Sequence, residues 1–194
     1  MPVVASVPLY LLVSSLPEPV PAGSRVSLTD YRGNIVLDTL IRPTRQITDY
    51  RHSQTNLNPE NLANGAFMHI KYAYRTEIRH QVVTLIHDKI IVGYALWDFL
   101  SVMGIPHPAI DTRDVAIFLP FRRSLRATQM PPLPVLVNRL MGRNMALQQR
   151  DNPLENARAA LDLFRSSEQF WESLIDAGSW PCTLPPPGFV AFFT

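Results

Sequence analysis

The feature that most limits how this chain can fold lies at residues 90–103, where a short apolar run meets a helical pattern. The run Ile-Ile-Val ends at Gly93, and apolar residues then recur at helical spacing as far as Met103. β-Branched residues favour strands. A glycine followed by apolar residues at intervals of three and four indicates the change from a strand to a helix. This strand-to-helix junction predicts an α/β domain with functional groups near the turn.

The size and composition of the chain suit one domain. Its 194 residues, 46% of them hydrophobic and 18% charged, can bury one sizeable core and are few for two. The net charge of +2 does not by itself indicate a polyanionic partner. Arginine, however, supplies all but two of the 18 basic residues, and its planar fork suits phosphate. The alternative explanation is a compositional bias of the chain, with the arginines solvated at the surface.

Other features bear on the cellular compartment. Cys182 is the only cysteine, which excludes an internal disulfide and fits a reducing environment. The apolar residues 3–13 lack a basic segment and contain Pro8, so a core strand explains them better than a signal peptide. No segment has the roughly 20 apolar residues of a membrane-spanning helix. We expect an intracellular protein, cytoplasmic or nuclear, without membrane contact.

Alternating and helical patterns predict the order of the elements. A central first strand is expected at residues 9–13, followed by an antiparallel meander that returns through a glycine-containing turn. Strands are predicted at residues 9–13, 25–30, 35–41, 90–94 and 109–115, and helices at residues 67–86, 97–103, 133–141, 153–164 and 168–177.

Several motifs occur along this pattern in one order. They are Val-Leu-Asp-Thr with Arg-Pro at residues 36–43, Ile-Thr-Asp-Tyr-Arg at 47–51, Gly-Tyr-Ala-Leu at 93–96, Thr-Arg-Asp-Val at 112–115 and Glu-Asn-Ala-Arg-Ala at 155–159. Their order and spacing resemble the DEDDh 3′-5′ exonucleases, in the branch that includes the fungal RNA exonucleases acting on ribosomal RNA precursors and the interferon-stimulated exonucleases.

The resemblance covers residues 9–164 and implies a fold. That fold is a ribonuclease H-like α/β domain, with a five-stranded mixed sheet whose first three strands are antiparallel and with helices on both faces. We assign residues 1–166 to the exonuclease-like domain and residues 167–194 to a C-terminal helix and proline-rich tail of the same domain. The tail is too apolar for a solvated linker, so it either packs on the domain or contacts a partner, including a second copy of the chain.

In the family that the chain resembles, four carboxylates hold two Mg²⁺ ions and a histidine acts as the general base. The aligned residues here are Ser14 and Leu16 in the first motif, Phe99 in the second, and Asp151 and Asn156 in the third. An amide is a weak ligand for Mg²⁺, and an aspartate with a pKa near 4 is poorly suited as a base at neutral pH. The resemblance therefore implies the fold without the two-metal reaction, and we expect no metal and no other cofactor.

The cleft at the strand ends should persist and become more apolar, so that it would hold organic ligands better than metal ions. A carboxyl group against an aromatic wall can have its pKa raised into a catalytic range. The predicted lining is Ser14, Ser15, Leu16, Tyr94, Trp97, Phe99, Arg113 and Asn156, and the acid–base candidates are Asp98, Asp114, Asp151 and Tyr94.

Three functions remain open from the sequence. The first is an inactive exonuclease homologue that binds single-stranded RNA or a protein partner, with Tyr50, Tyr72 and Tyr74 available to stack on bases unless they belong to the core. The second is an enzyme that uses the emptied cleft for a metal-independent reaction on a small organic substrate. The third is a structural subunit that forms homo-oligomers through the apolar tail, residues 189–193.

Overall fold

The computed structural model describes residues 3–5, 9–13, 20–41, 47–50, 59–60, 72–73, 75–145 and 152–194. The strands are β1 Val3–Ala5, β2 Leu9–Val13, β3 Val20–Thr29, β4 Ile35–Ile41, β5 Ile47–Asp49, β6 Tyr72–Ala73, β7 Ile91–Gly93 and β8 Thr112–Asp114. The helices are α1 Arg75–Ile86, α2 Leu96–Met103, α3 Leu119–Ser124, α4 Leu133–Met141 and α5 Pro153–Asp176, with 3-10 turns at Ala109–Asp111 and Pro187–Phe192.

The strands form one mixed sheet. Its centre has the order β4-β3-β1-β7-β8, in which β1 and β4 are antiparallel to β3, whereas β7 is parallel to both β1 and β8. The number and directions of these five strands agree with the predicted mixed sheet, although another segment forms the first strand. Three short strands enlarge it, because β2 pairs with β3 and β5, and β6 pairs with β4.

The position of the first strand differs from the prediction. Val4 in β1 is paired with Thr29 on one side and with Val92 on the other, so β1 and not residues 9–13 occupies the centre of the sheet. β2 instead runs along the other half of β3, where Val13 is opposite Val20. The apolar run of residues 3–13 thus supplies two strands, β1 and β2, where the prediction had one.

Two helices also have bounds that differ from the prediction. The helix expected at residues 67–86 begins only at Arg75, after β6. The two helices expected at 153–164 and 168–177 are one helix, α5, so the proposed boundary at residue 166 lies inside it. The hydroxyl of Ser166 donates to the carbonyl of Leu163 at 2.7 Å, and this bond along the helix lets a serine remain in its interior.

Apolar clusters cover both faces of the sheet. Successive residues of a strand point to opposite faces, and Val92 belongs to a cluster with residues of α4 and α5, whereas Ile91 belongs to a cluster with residues of α1 and α2. The helices therefore lie on both faces, as expected. Within the described residues, no helix combines the length and apolar character needed to cross a membrane.

The C-terminal tail packs against its own domain. The backbone N–H of His107 donates to the carbonyl of Phe192 at 2.9 Å, and that of Thr194 donates to the carbonyl of His107 at 3.1 Å. Nearer the start of the tail, the N–H of Thr183 donates to the carbonyl oxygen of Ile117 at 3.0 Å. Of the two alternatives left open for the tail, packing on the domain is the one observed.

Candidate functional site at the end of β7

The site is built around the turn between β7 and α2. Ala95, which precedes the first residue of α2, has φ 54° and ψ 51°, a left-handed conformation that costs an L-residue roughly 1–2 kcal/mol. Asp114, at the end of β8, compensates this cost. Its Oδ1 accepts hydrogen bonds from the N–H groups of Ala95 and Ala116, both at 3.0 Å, and its Oδ2 accepts one from Leu96 at 2.7 Å. One carboxylate therefore fixes the turn.

Asp114, one of the four acid–base candidates, therefore has a structural role in this turn. Its side chain is buried, with 1% of the residue exposed, and both oxygens are engaged by backbone donors. Burial raises the pKa of Asp114 to about 7 against the opposing effect of these three hydrogen bonds, and the charge of Asp98 raises the pKa further. A substrate could reach this carboxylate only by breaking the turn.

Tyr94 and Asp98 lie on the more open side of the turn, and both are half-buried. The hydroxyl of Tyr94 donates to the carbonyl oxygen of Pro131 at 3.0 Å, which joins the end of β7 to the segment before α4. Burial, followed by the charges of Asp114 and Asp98, raises the pKa of Tyr94 to about 12. Burial also raises the pKa of Asp98. The structure thus brings three of the predicted acid–base candidates together.

The two aromatic residues of α2 point into different clusters. Trp97 packs in the cluster with α4 and α5. Phe99 has no exposed surface and packs with Val26, Leu28 and Ile91 in the other cluster. Phe99 is therefore a core residue, and its predicted place in the lining of an open pocket is corrected. The reason is helical geometry, since residues two apart on a helix point in different directions.

Arg113 is also a structural residue. Only 3% of it is exposed, and its Nε and Nη2 donate to the two carboxylate oxygens of Glu172 at 2.7 and 2.8 Å. Its Nη1 donates to the carbonyls of Ile110 and Thr112 at 2.7 and 3.0 Å. Arg113 thus joins β8 to α5 and does not line a pocket as predicted. Sequence reasoning did not find Glu172, because no local signal relates residues 59 positions apart.

The first turn of α5 carries the third motif. The side chain of Asn152 accepts a hydrogen bond from the N–H of Leu154 at 3.1 Å and caps the helix, with Pro153 in the first turn. Asn156 follows within the first turns and is half-buried. Asp151, and with it Ser14, Ser15 and Leu16, lies outside the described residues, so their predicted places at the site stay predictions.

The donor groups of the described part of the site do not fit a pair of Mg²⁺ ions. Such ions need several negatively charged oxygen ligands. Position 99 offers an enclosed phenyl ring, position 156 an amide, and Asp114 already binds three N–H groups. Among the residues that the structure describes, no group of three or more His, Cys, Asp or Glu side chains could hold a metal ion.

The strand order and this turn define the class of fold, which is that of the ribonuclease H-like exonuclease domains. The apo form of the Saccharomyces cerevisiae Pan2 pseudoubiquitin hydrolase–RNA exonuclease module superposes with a TM-score of 0.73 at 20% identity over 91% of this chain and 31% of that chain. The catalytic unit of Neurospora crassa Pan2 gives 0.70 at 18% identity over 92% and 28%. At this identity, the similarity shows the fold alone.

Sequence comparison finds proteins named RNA exonuclease 4. The mouse protein is 30% identical over 163 residues, covering 84% of this chain and 35% of its own length, and the human protein is 29% identical over 152 residues, covering 78% and 34%. The protein of Mycosarcoma maydis is 29% identical over 153 residues, covering 78% and 39%. The chain spans a little over a third of the length of these three relatives, and no family model matches it. The similarities support a relationship to DEDD-type exonucleases.

Proposed function

We propose that this domain is a catalytically inactive homologue of the DEDD-type exonucleases that acts as a binding or scaffolding module. The observation that carries the proposal is the burial of Phe99, which is fully enclosed by apolar side chains and which we align with the second-motif aspartate of these exonucleases. Two-metal hydrolysis requires anionic oxygen ligands on both metal ions. A phenyl ring supplies none, and its surroundings would disfavour a charge.

Single-stranded RNA is the partner we test first. The relatives are named as RNA exonucleases, and the yeast Pan2 module has been solved with AAUUAA and AAGGAA RNA. The arginine content of this chain adds support, because arginine suits phosphate. A protein partner is the alternative, and an intracellular location stays a prediction.

A nuclease assay tests the proposed loss of activity. A 5′-labelled single-stranded RNA is incubated with the purified protein and Mg²⁺ or Mn²⁺, and the product lengths are read on a sequencing gel. We expect no shortening of the 3′ end. Metal-dependent trimming that disappears in the Asp98→Asn variant would overturn the proposal, since that variant separates intrinsic activity from a contaminating nuclease.

A salt titration tests the choice of partner. Each phosphate contact to a single strand contributes roughly −0.7 to the slope of log K against log [salt]. We expect the fluorescence anisotropy of a labelled RNA to report binding that weakens steadily as NaCl is added. The absence of RNA binding, or affinity that ignores salt, would point to a protein partner instead.

The second candidate function is an enzyme acting on a small organic substrate. The observation that favours it is the half-buried pair Tyr94 and Asp98, in which burial raises the pKa of the carboxyl group and makes it better suited to proton transfer. Native mass spectrometry of several preparations would detect a copurified ligand. A ligand lost in the Asp98→Asn variant supports this candidate, and its consistent absence argues against it.

A further inference from the structure

The charges of the chain are unevenly distributed. Residues 115–150 contain six arginines and no aspartate or glutamate. Five of these arginines fall in the described residues 115–145, on α3, on α4 and in the segments after them. A surface with one sign of charge concentrates counter-ions of the opposite sign. This region is therefore the most basic part of the described fold, although the net charge of the whole chain is only +2.

Three of these arginines lie in a compact turn at the end of α3, which we call the arginine turn and define as residues 122–128. The N–H of Arg126 donates to Arg123 O at 3.0 Å, and the N–H of Ala127 donates to Arg122 O at 2.9 Å. The guanidinium of Arg122 closes the turn by donating to the carbonyl of Thr128 at 3.0 Å. Arg122 thus positions the turn, which holds Arg123 and Arg126 close together.

Arg123 and Arg126 are both exposed. The ion pairs found among the described residues engage the arginines at 25, 113, 143, 158 and 165 and neither of these two. Residues 115–150 also contain no carboxylate, so in the described part of the chain no sequence neighbour supplies a counter-charge to these two guanidinium groups. They remain available to an anionic ligand.

The backbone of Arg126 gives a second, independent indication. Its φ of 51° is in the left-handed region, where a helix end normally carries glycine because other residues are strained. A strained position is a reason to look for a function of the side chain. The competing explanation is that the positive charge of Arg126 stabilises the end of the helix. A binding function and a stabilising function predict opposite effects on stability when Arg126 is replaced with glycine.

The arginine turn is connected to the candidate site. It leads directly into the segment whose Pro131 carbonyl accepts the hydrogen bond of the Tyr94 hydroxyl at 3.0 Å. Two residues separate the arginine turn from Pro131, so a short segment links the proposed phosphate contacts to the end of β7. The arrangement suits a flexible strand of phosphodiesters better than a single small anion, because two adjacent guanidinium groups can hold successive phosphates.

We propose that Arg123 and Arg126 form a binding surface for the phosphate backbone of single-stranded RNA, outside the former metal site. The proposal rests on the binding role proposed above and assigns it to a defined surface. It does not depend on hydrolysis, since guanidinium groups need no metal ion to bind phosphate.

The test compares charge-matched variants of the full chain in binding to a fluorescein-labelled single-stranded poly-uridine. Arg123→Ala/Arg126→Ala removes both side chains of the proposed surface, and Arg32→Ala/Arg79→Ala removes the same charge from two other exposed positions. Two lost phosphate contacts should reduce the salt slope of log K by about 1.4, and the control should leave it close to that of the parent. Equal losses in both variants, or no loss in the first, would overturn the inference.

Arg126→Gly provides a readout that a structural role would not give. The glycine relieves the left-handed strain, so the melting temperature should hold or rise while RNA affinity falls. A lower melting temperature with unchanged affinity would assign Arg126 to helix stability and overturn the inference. If the parent binds salt-sensitively but no variant differs from it, only this inference fails. If the parent does not bind RNA, this inference and the choice of RNA as partner both fail.

Discussion

The carboxylate of Asp114 accepts a hydrogen bond from the backbone of Ala95 at 3.0 Å and so stabilises a left-handed residue at the start of α2. Asp114 ends β8, and Ala95 lies just after β7, the parallel neighbour of β8. The same carboxylate binds Leu96 and Ala116. The shape of the site therefore depends on one buried side chain.

Replacing Asp114 with asparagine should destabilise the protein strongly. An amide offers one acceptor oxygen where the carboxylate offers two, so a buried N–H group is left without a partner, at a cost of about 1–3 kcal/mol. The matched control is Asp98→Asn, in the same turn but only half-buried, for which we expect a much smaller change. Urea unfolding measures both, and equal effects would contradict the structural role of Asp114.

The pKa of Asp114 predicts how stability changes with pH. The folded-state pKa of about 7 lies above the ordinary value of 3.8, so the folded state binds the proton more tightly than the unfolded state. The protonated form of Asp114 stabilises the folded state fully below pH 3.8, and this stabilisation is lost as the pH rises toward 7. The unfolding free energy of the parent, relative to that of Asp114→Asn, should therefore fall across this window. A difference that does not vary with pH would contradict the shift.

Glu172→Gln should weaken the attachment of α5 to β8. The substitution leaves the guanidinium of Arg113, of whose side chain 4% is exposed, without its counter-charge. Loss of one partner of a buried pair costs 3–5 kcal/mol, and because Glu172 is 34% exposed we expect about 1–3 kcal/mol. The control is Glu155→Gln, which removes the exposed pair with Arg158 and should cost less than about 0.5 kcal/mol.

Restoring an acidic residue at position 99 should not restore a metal site. Phe99→Asp places a charge in an enclosed apolar cluster and should destabilise the protein by more than about 3 kcal/mol. Phe99→Leu keeps the position apolar and should cost about 1.5 kcal/mol or less. Mg²⁺ should leave the melting temperature of Phe99→Asp unchanged. If Mg²⁺ raised the melting temperature of Phe99→Asp but not that of Phe99→Leu, other metal ligands would still be present at the site.

Several local features were predictable from residue patterns alone. The helix expected at residues 133–141 has those bounds in the structure, and the junction after Gly93 is a strand followed by a helix. The antiparallel pairing of residues 25–29 with residues 35–40 was likewise expected. Apolar periodicity and turn residues are patterns of residues close together in the sequence, so they can be recognised without the structure.

Other features required the folded chain. The strand that pairs with β7 was assigned incorrectly, because residues 3–13 contain two apolar runs that both pair with β3. The burial of Phe99 and the ion pair of Arg113 with Glu172 depend on which elements meet across the sheet. The residue types that argue against metal binding could be seen in the sequence.

The sequence by itself determined the strand-to-helix junction after Gly93, the antiparallel pair formed by residues 25–29 and 35–40, and the helix at residues 133–141. Only the tertiary structure decided that Asp114 serves the backbone, that Phe99 belongs to the core and that the ion pairs of the described residues leave out Arg123 and Arg126. The physical reason is the range of the interactions. Apolar periodicity depends on residues that are close in the sequence, whereas burial and charge pairing arise between residues that the fold brings together from distant parts of the chain.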